Sequence, residues 1–108
     1  MNKELQEKLR LYKISLLYIL HTLAVSEFFA LELDKISEST HTAEEDLKGG
    51  ISALRRIKIG QEFLIMPAGR DEQGRIRWKI NENLVSKKDL AKFLEEEILG
   101  KEGLTIQK

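Results

Sequence analysis

The sequence has 108 residues, of which 42% are hydrophobic and 33% are charged, and its 18 basic and 18 acidic side chains give a formal net charge of zero. This balance predicts one globular domain with a heavily charged surface, and it argues against a strongly basic nucleic-acid coat protein and an acidic tail protein. The absence of cysteine excludes disulfides and thiolate metal sites. The longest uncharged run, residues 14–26, is too short to span a bilayer, so we expect a soluble, cytoplasmic protein.

Residues 1–48 contain neither Gly nor Pro, and their first part predicts a long helix. Apolar residues recur there at alternating spacings of four and three, which is typical of a seam between packed helices. Further apolar residues flank this seam, so the helix needs cover on most sides. Two interpretations stay open: a central helix in the chain's own core, or a homodimer interface. The predicted interface consists of Leu5, Leu9, Tyr12, Leu16, Ile19 and Leu23.

The next stretch predicts two further helical segments. Ser26 can act as an N-cap, and the apolar residues after it predict a second helix or a continuation of the first. Turn-favouring residues follow at 37–42, and Thr42 with an acid three positions later fits a capping box, so a third helix is expected to begin there. Gly49 and Gly50 each cost that helix about 1 kcal/mol relative to Ala. Either the helix breaks at these glycines, or something packs close to its backbone.

Residues 61–80 predict two strands joined by a polar loop. Pro67 is expected to end the first strand, because proline cannot donate to a central ladder. The second strand alternates apolar and cationic side chains, so one face is expected in the core and the other outside. Trp78 shares the apolar face, so we expect it in the core rather than stacked on a base. The outer face is a row of three cations: Arg75, Arg77 and Lys79.

The final segment predicts one more helix. Ser86 fits its N-cap, Gly100 is expected to end it, and the acidic residues 95–97 read as a solvated face. Residues 101–108 are expected to be a frayed tail, which leaves 1–100 as a single domain. The predicted class is α+β, mainly helical with one β-hairpin.

The order of these elements over about residues 14–80 resembles a winged helix-turn-helix domain. In that DNA-binding family a core helix precedes a helix-turn-helix pair, and a hairpin called the wing follows. The resemblance implies extra helices at both ends that look like the dimerising extensions of small regulators. It also implies a supporting helix at 26–33, a recognition helix at 42–58, wing strands at 63–66 and 75–80, and a wing tip at 69–74.

Two features depart from the family's pattern. The polar turn between the paired helices looks longer than the family's compact turn. The implied recognition helix also begins with Glu44, Glu45 and Asp46, which phosphates would repel. Because such helices often enter the major groove by their N-terminal residues, contact with DNA would fall to the far end of this helix and to the wing.

The candidate nucleic-acid site combines that helix end, the loop tip and the cationic row: Arg55, Arg56, Lys58, Arg70, Arg75, Arg77 and Lys79. Phosphate contact by such a surface is sequence-independent and sensitive to salt. The row has a second interpretation, in which outward cations keep an exposed strand soluble and block edge pairing. Arg55, Arg56 and Lys58 can also complement the carboxyl end of their own helix, or pair with residues 44–46 of a neighbouring copy.

Nothing in the sequence predicts catalysis, a cofactor or a metal site. General acid–base chemistry needs a convergent pair such as His with a carboxylate, and no such pair can be predicted from the spacing of these residues in the sequence. Gly49 and Gly50 lack the Lys-Ser/Thr that follows in a phosphate-binding loop. The chain's two histidines, without cysteine, make a poor metal site, and His21 is expected in the core or the seam.

Two hypotheses for function follow. The first is a homodimeric transcriptional regulator that binds double-stranded DNA through the wing and the end of the third helix. The alternative is a protein-interaction adaptor or assembly subunit, in which region 27–48, with seven acids and two lysines, meets a partner protein. A third possible architecture is an elongated helical pair with a projecting hairpin.

Overall fold

The computed structural model describes residues 1–100, where five helices pack with a small antiparallel sheet, and the expected α+β class is confirmed. The helices are α1 (Lys3–Leu9), α2 (Ile14–Val25), α3 (Leu33–Thr40), α4 (Glu44–Leu54) and α5 (Lys87–Phe93), which continues as a π-helix over Leu94–Leu99. The strands are β1 (Leu31–Glu32), β2 (Lys58–Ile59), β3 (Glu62–Phe63), β4 (Ile65–Arg70) and β5 (Ile76–Ile80). The predicted tail, 101–108, lies outside the described residues.

The predicted dimer seam lies in the chain's own core. The chain turns between α1 and α2, so the N-terminal region is two helices. Leu5 and Leu9 are both 0% exposed within a single chain, which leaves them no surface to offer a second copy. Leu5 and Leu9 therefore belong to the core, as the core interpretation predicted, and the homodimer itself stays a prediction. All six pack against the same core, four buried and two half-buried: Leu5, Leu9, Ile19 and Leu23, with Tyr12 and Leu16.

The helix predicted over residues 26–33 is wrong. The chain forms a loop over 26–30, and β1 then pairs antiparallel with β5, placing Leu31 opposite Trp78 and Glu32 opposite Arg77. Helix α3 begins only after this short strand. Over so few residues the apolar spacing suits a strand as well as a helix, and the pairing with a distant strand decides between them.

The turn between α3 and α4 is shorter than the sequence predicted, since only residues 41–43 separate the two helices. His41 takes the left-handed conformation (φ 55°) and ends α3. The predicted cap Thr42 is wrong, because Ala43 is the N-cap of α4 and no side chain caps that helix. Instead, the Thr42 hydroxyl donates a 3.3 Å hydrogen bond to the Thr40 carbonyl. The acids in the first turn of α4 favour the helix through its dipole.

Helix α4 also ends earlier than predicted. Arg55 is its C-cap, and Lys58 belongs to β2, which pairs with β3. Gly60 lies between these two strands with φ 62°. Ile57 is 2% exposed, and its carbonyl accepts a hydrogen bond from the Leu64 N–H. Ile57 is therefore held in the core by this contact instead of continuing the helix.

The main sheet has the order β1–β5–β4, with β5 at its centre. Trp78 and Ile80 are 6% and 2% exposed on its inner face, so the predicted alternation is confirmed. The prediction that Pro67 ends the first strand is wrong, because β4 continues to Arg70 and residues 71–75 form the connection. Since β4 is an edge strand, the missing proline N–H removes no ladder hydrogen bond.

The C-terminal helix begins as predicted, with the Ser86 hydroxyl accepting a 3.1 Å hydrogen bond from the Asp89 N–H. The helix ends at Gly100. The prediction that residues 95–97 form a solvated face is wrong for Glu95, whose carboxylate lies 2.7 Å from Nε2 of His21. His21 is 6% exposed, which confirms it as a core residue, and this contact ties the C-terminal helix to α2.

The overall dimensions exclude the elongated architecture. The Cα radius of gyration is 13.0 Å, close to the roughly 13 Å expected for a compact chain of 100 residues. Trp78 on β5 is buried in the same core as the helices, so the hairpin does not project alone. Within the described residues, no helix combines the length and the apolar character needed to cross a membrane.

We expect alanine at the two adjacent glycines of α4 to change the unfolding free energy differently. A Cβ at Gly50 would lie 2.8 Å from Ile19 Cδ1 and 3.0 Å from Leu16 Cδ2, whereas a Cβ at Gly49 would meet no atom within 4 Å. Gly49→Ala should therefore raise the unfolding free energy by about 1 kcal/mol. Gly50→Ala should lose that gain, because the core must shift to admit the methyl group.

Urea unfolding of the two variants against the wild type measures this difference. Gly49→Ala serves as the matched control, since both glycines lie inside the same helix. Equal stabilisation by the two substitutions would contradict the close approach of α4 to α2.

Candidate interaction surface

Arg75, at the start of the predicted cationic row, is paired with carboxylates of its own chain. Its Nε donates to Asp71 Oδ2 at 2.9 Å, and its Nη1 lies 3.4 Å from Asp34 Oδ2. The Arg75 backbone N–H also donates to Asp71, and this hydrogen bond is the main cause of the lowered pKa of Asp71. The side-chain hydrogen bond to Asp71 raises the pKa of Arg75.

Arg77, at the centre of the row, is held in the same way by a residue of β1. Its Nε donates to Glu32 Oε1 at 3.0 Å, and the β1–β5 register places these two residues opposite each other. This hydrogen bond is the largest cause of the lowered pKa of Glu32. The prediction that Arg75 and Arg77 extend freely from the strand is therefore wrong.

The other two predicted cations of the hairpin also have neighbours in the chain. The Lys79 ammonium lies 4.4 Å from the centre of the Phe29 ring. Arg70 donates from Nη1 to the Gly74 carbonyl at 2.6 Å across the hairpin connection. Lys79 has no carboxylate within ion-pair distance among residues 1–100, so it keeps an unneutralised charge on this face.

The three cations after α4 do not share one helical side, because the helix ends before them. The Arg55 guanidinium lies 5.1 Å from the Trp78 ring centre and covers the outer edge of the core. Lys58 lies 5.6 Å from the Phe63 ring on the neighbouring strand. Arg56 is exposed and has no ion-pair partner in the described part of the chain.

The sequence did not predict the most exposed aromatic feature, which lies in the loop between α2 and β1. Phe28 and Phe29 are 71% and 73% exposed. The loop is fixed by Lys87, whose ammonium donates to the carbonyls of Ser26 and Phe28 at 2.6 and 3.1 Å. The Phe28 N–H also donates to the Ser26 hydroxyl at 3.0 Å. The sequence signal for this exposed feature was the adjacent pair Phe28 and Phe29, because adjacent residues do not share one side of a helix or strand.

Cavities lie on both sides of this aromatic pair. One, of about 340 Å³, separates the pair from the outer face of the sheet, and its lining combines apolar residues such as Leu31 and Ala68 with charged ones such as Arg77. A groove of about 850 Å³ runs between α2 and α3, and its lining includes seven hydroxyl-bearing side chains together with His21 and His41. Phe28 lines both, so it stands as a ridge between them.

The candidate surface offers recognition chemistry. Among residues 1–100, no group of three or more His, Cys, Asp or Glu side chains could hold a metal ion. Its exposed groups are aromatic rings, ammonium groups and internally paired guanidinium groups, which can bind another molecule through apolar contact and charge.

The chain matches no protein-family model, no curated protein and no solved structure.

The lowered pKa of Glu32 predicts a loss of stability on acidification. Because its folded-state pKa lies below the ordinary 4.5, the carboxylate stabilises the fold above that pH and loses this effect as the pH falls through the folded value. Glu32→Gln should therefore lower the unfolding free energy near neutral pH. The loss should be at most about 1 kcal/mol, because the Arg77 partner is half-exposed.

Urea unfolding between about pH 7 and about pH 3 measures the effect. The wild type and Glu32→Gln should converge at the acid end, and Glu38→Gln, at an exposed position on α3, is the control. A wild-type advantage that persists undiminished at the lowest pH would contradict the pairing.

Proposed function

We propose that this chain is a winged helix-turn-helix domain that works as a protein-interaction module. The order α2, β1, α3, α4, β4, β5 supports the fold, with a core helix, a helical pair and a hairpin. The compact turn at 41–43 removes one departure from the family's pattern. The pairing of β1 with β5 adds a third strand that joins the wing to the helices.

The observation that carries the proposed function is the internal neutralisation of the cationic row. Arg75 and Arg77 contact three carboxylates of their own chain, so this cluster carries +2 − 3 = −1 formal charge. Phosphate could bind these guanidinium groups only by displacing their carboxylate partners or by lying beside them. Since phosphate contact supplies essentially all of non-specific DNA binding, the hairpin face is poorly suited to that role.

The acidic start of α4 supports the same conclusion. Glu44, Glu45 and Asp46 are all exposed in its first turn. In many helix-turn-helix proteins the corresponding end of the recognition helix enters the major groove. Three carboxylates at that position would repel the phosphates that line the groove.

The exposed aromatic pair favours a protein as the partner. Aromatic residues are enriched in protein–protein interfaces and are frequent among the residues that contribute most to affinity. Phe28 and Phe29 stand on a loop that Lys87 already holds, so binding costs little ordering of the backbone. The surface therefore combines apolar area, a fixed conformation and an adjacent cation, Lys79.

A second candidate function is DNA binding through the far end of α4. Lys48 is exposed on this helix, Arg56 is exposed just beyond its end, and Gly49 leaves open space beside the helix backbone. An exposed glycine inside a helix permits close approach of another molecule. Arg70 at the hairpin would extend this smaller basic surface.

Titration of a fluorescent duplex at several salt concentrations tests the proposed function. We expect a Kd no tighter than about 10⁻⁴ M at physiological salt, the weak limit of non-specific binding. The Arg75→Ala/Arg77→Ala variant should bind as weakly as the wild type, because those guanidinium groups are already neutralised.

Two outcomes would contradict this proposal in different ways. Tight binding that weakens steeply with salt and is lost in Arg75→Ala/Arg77→Ala would restore the hairpin as a DNA contact. Tight binding lost instead in Lys48→Ala/Arg56→Ala, with the hairpin variant unaffected, would establish the second candidate.

A further inference from the structure

The loop of residues 26–30 exposes an unusual amount of aromatic surface for an ordered segment. Phe28 and Phe29 each expose more than two thirds of their area, at 71% and 73%. Three hydrogen bonds fix the loop: two donated by the Lys87 ammonium and one accepted by the Ser26 hydroxyl. Contiguous exposed apolar surface of this kind marks an interaction site. We call the two rings and their immediate neighbours the aromatic surface.

The aromatic surface contains a cavity beside its protruding rings. The cavity measures about 340 Å³ and lies against the outer face of the sheet. For comparison, a cavity of about 150 Å³ can hold benzene, so this one has room for a phenyl ring. Its lining consists of five apolar residues and three charged ones: Phe28, Phe29, Ala30, Leu31 and Ala68, with Glu32, Lys35 and Arg77.

Charges of both signs surround the rings. Glu27 and Glu82 lie with Lys79 and Lys87 around a further cavity, of about 300 Å³, which Phe28 and Phe29 also line. The formal charges of these four side chains sum to +2 − 2 = 0, and Glu32, Lys35 and Arg77 around the first cavity add +2 − 1 = +1. A strongly basic or strongly acidic partner would meet repulsion from the charges of its own sign. A partner with the same mixed pattern can place each charge opposite its complement.

We propose that the aromatic surface binds a second copy of this chain across a two-fold axis, an inference that rests on the proposed function and names its partner. A two-fold interface must be self-complementary, because the same patch faces itself. This patch carries a protruding ring, a cavity that fits a ring, and charges of both signs. The zero net charge of the chain adds no long-range repulsion between copies.

The proposed contact uses side chains rather than strand edges. Pro67 lies in β4, the longer of the two edge strands of the sheet, and its missing N–H hinders the addition of another strand. The other edge strand, β1, has only two residues. The proposed dimer also differs from the seam that the sequence predicted, whose residues lie in the core.

Sedimentation equilibrium of the wild type and of Phe28→Ala/Phe29→Ala tests the proposal. The wild type should have a mass twice the 12.5 kDa of one chain. The double substitution should raise the dimer dissociation constant at least about a hundredfold, because each ring loses its burial in the complex. Both side chains are exposed in the single chain, so the variant should keep the wild-type circular dichroism spectrum.

Two further variants sharpen the experiment. Leu11→Ala is the matched control: Leu11 is 86% exposed in the turn between α1 and α2, and its removal should leave the dissociation constant unchanged. Lys79→Glu reverses one charge beside the rings and should weaken the dimer about tenfold at low salt, with a smaller effect at high salt.

A wild type that stays monomeric up to about 1 mM would overturn the proposal. A dimer that Phe28→Ala/Phe29→Ala leaves intact would overturn it as well. If the wild type is monomeric and a photo-crosslinking residue at position 29 joins it to another protein, the second-copy inference fails while the proposed function stands. Failure of the proposed function has a different signature, which is tight, salt-dependent binding of duplex DNA.

Discussion

The pairing of β1 with β5 is the constraint on which the rest of this structure depends. It covers only two residue pairs, Leu31 with Trp78 and Glu32 with Arg77. The first pair lies on the inner side and joins the hairpin to the helical core. The second pair lies outside and brings a carboxylate to the middle of the cationic row. One short strand therefore sets both the packing of the sheet and the charge on its outer face.

The same pairing exposes the aromatic loop. Because β1 must align with β5, the chain leaves α2 at Val25 and crosses to the sheet within residues 26–30. Phe28 and Phe29 lie in this crossing, outside any helix or strand that could bury them. The neutralised arginines and the exposed rings are thus two consequences of one strand. Together they leave internally paired guanidinium groups beside exposed aromatic rings.

The parts of the fold that depend on local sequence were predictable. The alternation around Trp78 gave the strand β5 and its inner face, and Ser86 gave the start of the last helix. The parts that depend on distant partners were not. Glu32 and Arg77 are 45 positions apart, and Lys87 holds the loop at Ser26 from 61 positions away. The periodicity of a single sequence does not show which charged residues form pairs across such separations. The sequence alone therefore predicted a cationic row without carboxylate partners.

The glycines of α4 show how the same residue type can have different meanings. Gly50 allows α4 to lie against the side chains of Leu16 and Ile19, while Gly49, its neighbour, faces open space. From the sequence, the two glycines together predicted either a helix break or a close packing contact, because local spacing does not show which face of the helix is covered. Burial alone distinguishes the packing glycine from the exposed one.

The central claim is that carboxylates of this chain hold the arginines of β5, and hydrogen exchange of arginine side chains tests it most directly. Nuclear magnetic resonance should show the Nε–H groups of Arg75 and Arg77 exchanging with water more slowly than that of the exposed Arg56. Glu32→Gln should accelerate the exchange at Arg77 and leave Arg75 protected, because Arg75 keeps its Asp71 partner. Equal exchange rates at Arg56, Arg75 and Arg77 in the wild type would contradict the claim.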